Sequence, residues 1–440
     1  MPDRVDEAGR PRPAARTLRG LDALNFFLAD VRDGLGPYLA IYLLAVRGPD
    51  QGWNEATIGL VITISGIAGL VAQTPIGAVI DRSRHKRAVI VAAALAVTLS
   101  CLALPFVSNF YLVAATQSLA GIAGAVFPPA LAAITLGIVG PRWFSRQIGR
   151  NEGFNHAGNA ASAVIAGASA YVFGPIVVFW LMAVLAAASI AVMLLIPAEA
   201  IDDDLARGLE HDEKAVDSTS GLSVLLRNRT LLLFAGLCAA FHLANAAMLP
   251  SVGQLLTKIS GKDHATSLIA VCIVAAQCVM VPVAIFVGRR ADAIGRKPIF
   301  LVAFGVLALR GVLYTLADNP FWLVAVQCLD GIGAGIYGAL FPVVVADLTR
   351  GTGRFNVAQG AVATAQGIGA ALSASLAGLI IVGASFSAAF LALAAISAAA
   401  FLVYWLAMPE TSGFTPAEAD DGGAGPIPMP ERSPVAARAR

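Results

Sequence analysis

The chain has 440 residues, 58% of them hydrophobic and 13% charged, with 30 Lys and Arg against 28 Asp and Glu, a formal charge of +2 and a mean hydropathy of +0.76. So little polar surface cannot cover a soluble globule of this size. The small net charge, with arginines scattered and no interleaved aromatics, gives no footprint for nucleic acid.

Apolar runs of about 20 residues, the length of helix that crosses a hydrocarbon core, recur throughout, and a span in lipid must satisfy its own backbone. Beta-barrel alternation is absent. Residues 1–19, rich in Arg and Pro, read as a disordered cytoplasmic tail. Span 1 covers 20–46; its run from Leu21 to Leu44 is too long for a signal peptide and carries Asp30, Arg32 and Asp33, so it stays in the mature protein. Spans 2 to 6 cover 57–80, 88–107, 110–139, 154–173 and 176–196, which closes an N-terminal bundle over 20–196. A cytoplasmic linker follows at 197–230; its charge run from Asp202 reads as solvated, and Ser218, Thr219 and Ser220 are the places a regulatory modification would use. Spans 7 to 12 cover 231–256, 266–287, 298–316, 320–347, 357–382 and 385–407, a C-terminal bundle over 231–407, and residues 408–440 form a second disordered tail. The predicted class is an all-α membrane protein of about twelve transmembrane helices in two six-helix bundles.

Orientation follows from the cations. With both termini cytoplasmic, the outer loops hold only Arg47, Lys258 and Lys262, while the loop and tail arginines and lysines otherwise fall inside, as the positive-inside rule requires. The expected setting is the plasma (inner) membrane, with a functional monomer. Cys101, Cys238, Cys272, Cys278 and Cys328 lie inside spans without metal spacing and read as small buried hydrophobes. No phosphate loop, nucleophilic triad or metal cluster appears, so neither an enzyme nor a cofactor is expected; Gly331, Gly333 and Gly335 sit inside an apolar helix and read as close packing.

The two halves echo one another. Gly77-Ala-Val-Ile-Asp81-Arg82-Ser-Arg84-His-Lys86-Arg87 returns as Gly288-Arg-Arg-Ala-Asp292-Ala-Ile-Gly-Arg296-Lys297, and Gly77 to Gly288, Asp81 to Asp292 and Lys86 to Lys297 each step by 211. Around span 5, Gly149, Gly158, Ser162, Ala163, Ala166 and Gly167 return around span 11 as Gly360, Gly369, Ser373, Ala374, Ala377 and Gly378, again a step of 211. Gln117 to Gly121 of span 4 returns as Gln327 to Gly331 of span 10 at a step of 210. Small residues so spaced let helices approach closely, as fixed packing or as seams that slide.

Two six-helix halves, a long linker and the Gly-x-x-x-Asp-Arg-x-x-x-Lys-Arg loop after span 2 resemble the major facilitator superfamily over residues 20–407. The resemblance implies a secondary transporter working by alternating access. It also implies that Asp81, Arg82 and Lys86 latch the halves on the cytoplasmic side, with Asp292, Arg296 and Lys297 as the weaker partner latch. Exposed pairs contribute on the order of 1 kcal/mol or less each, yet a few are enough to bias a conformational equilibrium. Proton-driven drug antiporters of the superfamily usually carry an arginine in span 4 and a Gly-Pro pair in span 5. Here Gln117 and Ser162-Ala163 stand in those places, while the glycine frame from Gly149 to Gly167 otherwise resembles theirs.

Ionisable groups within spans cost about 2.5–3.5 kcal/mol each on insertion scales and so mark functional sites. Asp30, Asp33 and Pro37 share a face of span 1, with Arg32 well around from Asp33; the cluster either couples transport or orients the helix. Arg310 in span 9 and Asp330 in span 10, one turn after Gln327, resemble the arginine–carboxylate pair of lactose permease-type proton symporters in residue type and helix. They form either a coupling pair, whose carboxylate senses the guanidinium, or a permanent tie. Asp30, Asp33, Arg310 and Asp330 are the proton-coupling candidates. Substrate-cavity candidates are Asn25, Arg32, Tyr38, Gln117, Asn155, His156, Asn159, His242, Asn245, Gln277 and Gln327, while Glu152 either joins that site or sits at the cytoplasmic end of span 5. The expected partners are a small organic substrate, protons and the bilayer. Export leads, with symport or uncoupled facilitation of a metabolite as the alternative and a non-transporting sensor or scaffold from another class.

Overall fold

The computed structural model describes residues 13–33, 39, 42–43, 53–174, 176–209 and 228–413. Tyr38, Arg47, Ser218, Thr219, Ser220 and most of both tails lie outside the described residues, as does the side chain of Asp33. Among the described residues the long elements are α1 (Ala15–Asp33), α2 (Glu55–Arg82), α3 (Lys86–Leu102), α4 (Phe110–Gly124), α5 (Phe127–Phe173), α6 (Val177–Leu195), α7 (Arg229–Asn245), α8 (Met248–Ile294), α9 (Arg296–Leu313), α10 (Pro320–Thr349), α11 (Phe355–Gly383) and α12 (Phe386–Ala407).

At 47 residues each, α5 and α8 would be about 70 Å long if straight, more than twice a hydrocarbon core. Each holds the end of one pass and all of the next. α5 turns at Gly140, whose φ of 69° and ψ of 171° lie where a Cβ is strained and glycine is not, just before Pro141. In α8 a Cβ at Gly253 would lie 3.0 Å from Ile269 Cδ1, although a straight helix would hold residues 253 and 269 about 24 Å apart. The chain therefore reverses between them, in the stretch where the sequence places a connection.

Nine stretches among the described residues are long and apolar enough to cross a membrane, Phe110–Ala170 holding two passes. α1 and α9 fall outside that group and carry Asp22, Asp30 and Arg32, and Arg296, Lys297 and Arg310, respectively. Around the bundle Leu60, Val71, Leu99, Trp180, Val382 and Leu406 point outward, exposed; lipid solvates such side chains where water would not. The cysteines fit the apolar reading in part: Cys101, Cys238 and Cys272 are buried, but Cys278 is on this outer surface.

The 211-residue repeat is also a repeat of packing. Gly158 of α5 lies against Phe26 O and Ala29 of α1, and its counterpart Gly369 of α11 against the backbone of Ala239 in α7. Those contacts stay within a half. Gly149 of α5 instead meets Gly288 and Ala284 of α8, and Gly360 of α11 meets Gln73 of α2, both across the halves. Further along, at Gly167 and Gly378, a Cβ would meet nothing within 4 Å. The seam between the halves is thus tight on the side that carries the linker.

Candidate functional site

At the linker end, Asp81 is buried and accepts three hydrogen bonds from the opposite half. Oδ1 takes the Asn356 backbone N–H at 3.2 Å and Nδ2 at 2.7 Å, and Oδ2 takes the Val357 N–H at 2.9 Å. These are the first amides of α11, so the carboxylate satisfies orphan donors at the positive end of that helix. Gly77, one turn earlier, is required by the approach itself, since a Cβ there would overlap Asn356 O. Asp81 therefore binds a helix end, and Lys86 is the residue that makes the ion pair, at 2.9 Å to Asp203 of the linker. Arg82 is exposed.

The second loop copy works within its own half. Arg296 pairs with Asp292 at 2.8 Å and Asp347 at 3.1 Å, while Glu410 accepts the Arg296 and Lys297 amides at 2.8 and 3.1 Å. Gly288 carries the crossing on its side, against Gly149.

The described start of the linker, residues 197–209, is less solvated than its charge suggests. Leu205, Ala206 and Leu209 are buried, Gly351 N donates to Gly208 O at 2.7 Å, and Asn356 Nδ2 also reaches Ala206 O at 3.1 Å. A cavity of about 30 Å³ remains there between Phe144, Leu205, Arg296, Asp347 and Arg350; that is room for a water or two and not for an organic solute. Replacing Asp81 by Ala strands the Asn356 and Val357 amides, while Asn356 Nδ2 keeps Ala206 O, so the linker side should open by about 1–3 kcal/mol. A cysteine at Thr74, whose hydroxyl lies 3.3 Å from that of Thr364 across the seam, should then alkylate severalfold faster; an unchanged rate would remove Asp81 from the latch.

Deeper in the C-terminal half, Arg310 is 1% exposed. Its guanidinium bonds Asp330, Asn245 Oδ1 at 2.5 Å and Met248 Sδ at 3.3 Å. Gln327 donates to Asp330 Oδ2 at 3.0 Å and accepts from Tyr314. Asn245 ends α7 and Met248 begins α8, so Arg310 straddles the point where span 7 changes course.

The N-terminal half has its own buried carboxylate, which the sequence reading passed over. Asp22 receives Arg150 through Nε at 2.7 Å and Nη2 at 2.5 Å, and Gln147 bonds Asn151, which reaches Thr135 at 2.8 Å. Asp22 is the second residue of the first apolar run, and that is the available signal; from sequence Arg150 is one of the inner cations that set topology.

Midway along α5, His156 Nδ1 lies 2.8 Å from Gln277 Oε1 of α8, a hydrogen bond between the halves. Asn155 donates to Glu152 at 3.3 Å. Other expected cavity residues stand apart: Asn25 Nδ2 bonds Leu21 O at 2.8 Å and His242 Nδ1 lies 3.0 Å from Cys238 O, each on its own helix. Gln117 is buried with Nε2 unpartnered, while Asp30, Arg32 and Asn159 are half-buried. The structure thus joins Asn245, Arg310, Gln327 and Asp330 into one network and His156 with Gln277 into another.

The family model described as Major Facilitator Superfamily matches residues 23–309 and 264–438. An uncharacterized MFS-type transporter of Mycobacterium tuberculosis, in strains CDC 1551 and H37Rv, is 58% identical over 397 residues, covering 90% of this chain and 94% of its own. The inner membrane transport protein YajR of Escherichia coli K12 is 26% identical over 361 residues, 79% of this chain and 74% of that one. In fold, the chain is similar to the proton:xylose symporter XylE bound to 6-bromo-6-deoxy-D-glucose, with a TM-score of 0.71 at 13% identity over 91% of this chain and 97% of that one.

Proposed function

Since the chain belongs to the major facilitator superfamily, and so is a multi-pass membrane transporter of small molecules, we propose that it exports a small organic solute in exchange for protons by rocking its two halves about a central cavity. The observation that carries this reading is the place of Arg310. Its donors are shared between Asp330 and residues on both sides of the break in span 7, so any movement of that break changes how much positive charge faces Asp330. A carboxylate whose charge partner moves with conformation takes up a proton in one state and gives it up in the other. Asp30 and Asp33 supply the corresponding acids in span 1. Export is favoured over uptake by the glycine frame of span 5, which resembles that of the family's antiporters.

The test is flux across the membrane of proteoliposomes, in either direction, over a panel of organic compounds, with and without an imposed pH gradient. Gradient-driven efflux is expected, reduced at least tenfold in Asp33→Asn and Asp330→Asn. Flux indifferent to the gradient in the wild type would defeat proton coupling, and gradient-driven uptake would assign symport instead. Unimpaired coupling in both variants would defeat the assignment of the acids.

A further inference from the structure

We propose that Glu152 and His156 of α5 form a proton-binding pair that Gln277 of the opposite half reads directly. The inference rests on the proton-coupled reading above and adds a site to it. His156 Nε2 is buried, has no hydrogen-bond partner and lies 3.9 Å from Glu152 Oε2, while Nδ1 is engaged with Gln277 Oε1 at 2.8 Å. A carbonyl oxygen accepts, so with that partner Nδ1 carries the hydrogen, and a neutral ring then turns a bare Nε2 lone pair toward a carboxylate. Two electron-rich groups held together in a low-dielectric setting repel, and one added proton removes the conflict, giving an Nε2–H that points at Glu152 and an Nδ1–H that keeps Gln277.

Loss of that proton has two outcomes. Either the repulsion returns, or the ring changes tautomer and Nδ1 becomes an acceptor, which obliges Gln277 to turn its amide. The second breaks the bond to α8 and the first keeps it under that repulsion, and α8 is where the seam closes, through Ile285 on Gly153 and Gly288 on Gly149. The proton enters from one aqueous face onto Nε2 and leaves by the same nitrogen once the halves have rocked.

The charges nearest the pair lie on the helices packed against it. On α5, Arg150 is held by Asp22 of α1. α1 also carries Asp30 and Arg32, half-buried and just beyond Phe26 and Ala29, which touch Gly158 of α5. On α8 the charged groups nearest the seam are Arg289 and Arg290, about three turns away and exposed. On α10 the pair faces Gly338, where a Cβ would lie 3.2 Å from Glu152 Oε2, and Asp330 is taken by Arg310. Arg310 and Asp330 lie wholly inside one half, whereas Glu152 and His156 are on the boundary between the two.

The test is pulsed electron–electron resonance between spin labels at Arg84 and Arg289, exposed residues one on each half, in full-length protein reconstituted without its native cysteines. In the wild-type background the ratio of short to long distances should change about threefold or more when the pH is varied between about 5 and 8. In His156→Gln and in Glu152→Gln it should stay flat. A wild-type ratio that ignores pH overturns the proposal, as does a wild-type response in both variants; if His156→Gln fails to fold, Glu152→Gln decides alone. A flat Glu152→Gln ratio beside gradient-indifferent wild-type flux would keep this site and sink only the coupled reading. The reverse pattern would sink the site and keep the coupling.

Discussion

Arg310→Met should destabilise the protein by about 3–5 kcal/mol, the range for breaking a buried ion pair on one side. The loss would come less from the missing attraction than from what stays behind. Asp330 would keep Gln327 as its hydrogen-bond donor, and Asn245 Oδ1 would lose the guanidinium. Arg310→Met with Asp330→Leu should recover most of the stability, because an apolar pair of similar volume strands no charge. Transport should fail in both. Thermal unfolding in detergent, read by a thiol-reactive dye or by circular dichroism, separates the two cases. If the double variant is as unstable as the single one, the network is held by shape and not by charge compensation.

Gly149→Ala and Gly360→Ala should each cut transport more than tenfold while insertion and folding stay normal. Alanine is the better helix former by about 1 kcal/mol, so the local helix gains. The seam loses, because a Cβ at Gly149 would lie 2.5 Å from Gly288 Cα and one at Gly360 would overlap Gln73 O. Backbone on both sides leaves no flexible group to move, so the linker side cannot close and the cycle stalls open there. Gly167→Ala and Gly378→Ala, with nothing in reach of the new methyl, should transport near wild-type rates. Equal loss at all four positions would mean that glycine serves helix flexibility and not close approach.

Much of this was legible in the chain. Hydrophobic runs of bilayer length identify spans because lipid offers backbone groups no partner, and the 211-residue step singled out Gly149, Gly288, Gly360 and Asp81 before their contacts were known. Legibility failed where a side chain's meaning depends on another helix. Asn356 carried no signal, yet it receives Asp81. For Glu152 the sequence leaves a site residue and a helix end equally open, and the contacts with His156 and Gly338 come from other turns and another helix. Asp203 read as part of a solvated run, yet it holds Lys86, whose side chain is 1% exposed.

Sequence alone determined that this protein lives in a bilayer and that it is built twice, and it singled out repeated glycines of which Gly149, Gly158, Gly360 and Gly369, but not Gly167 and Gly378, make close helix contacts. Composition and periodicity are properties of the solvent a helix needs, and these are local along the chain. Tertiary structure decided which glycines lie within a half and which between halves. It also decided that Asp81 caps α11 while Asp292 stays with Arg296, and that Arg310 spans the break in span 7. Duplicated sequences begin with equal roles; a single seam, closed here on the linker side, makes their copies unequal, because each copy then meets different neighbours.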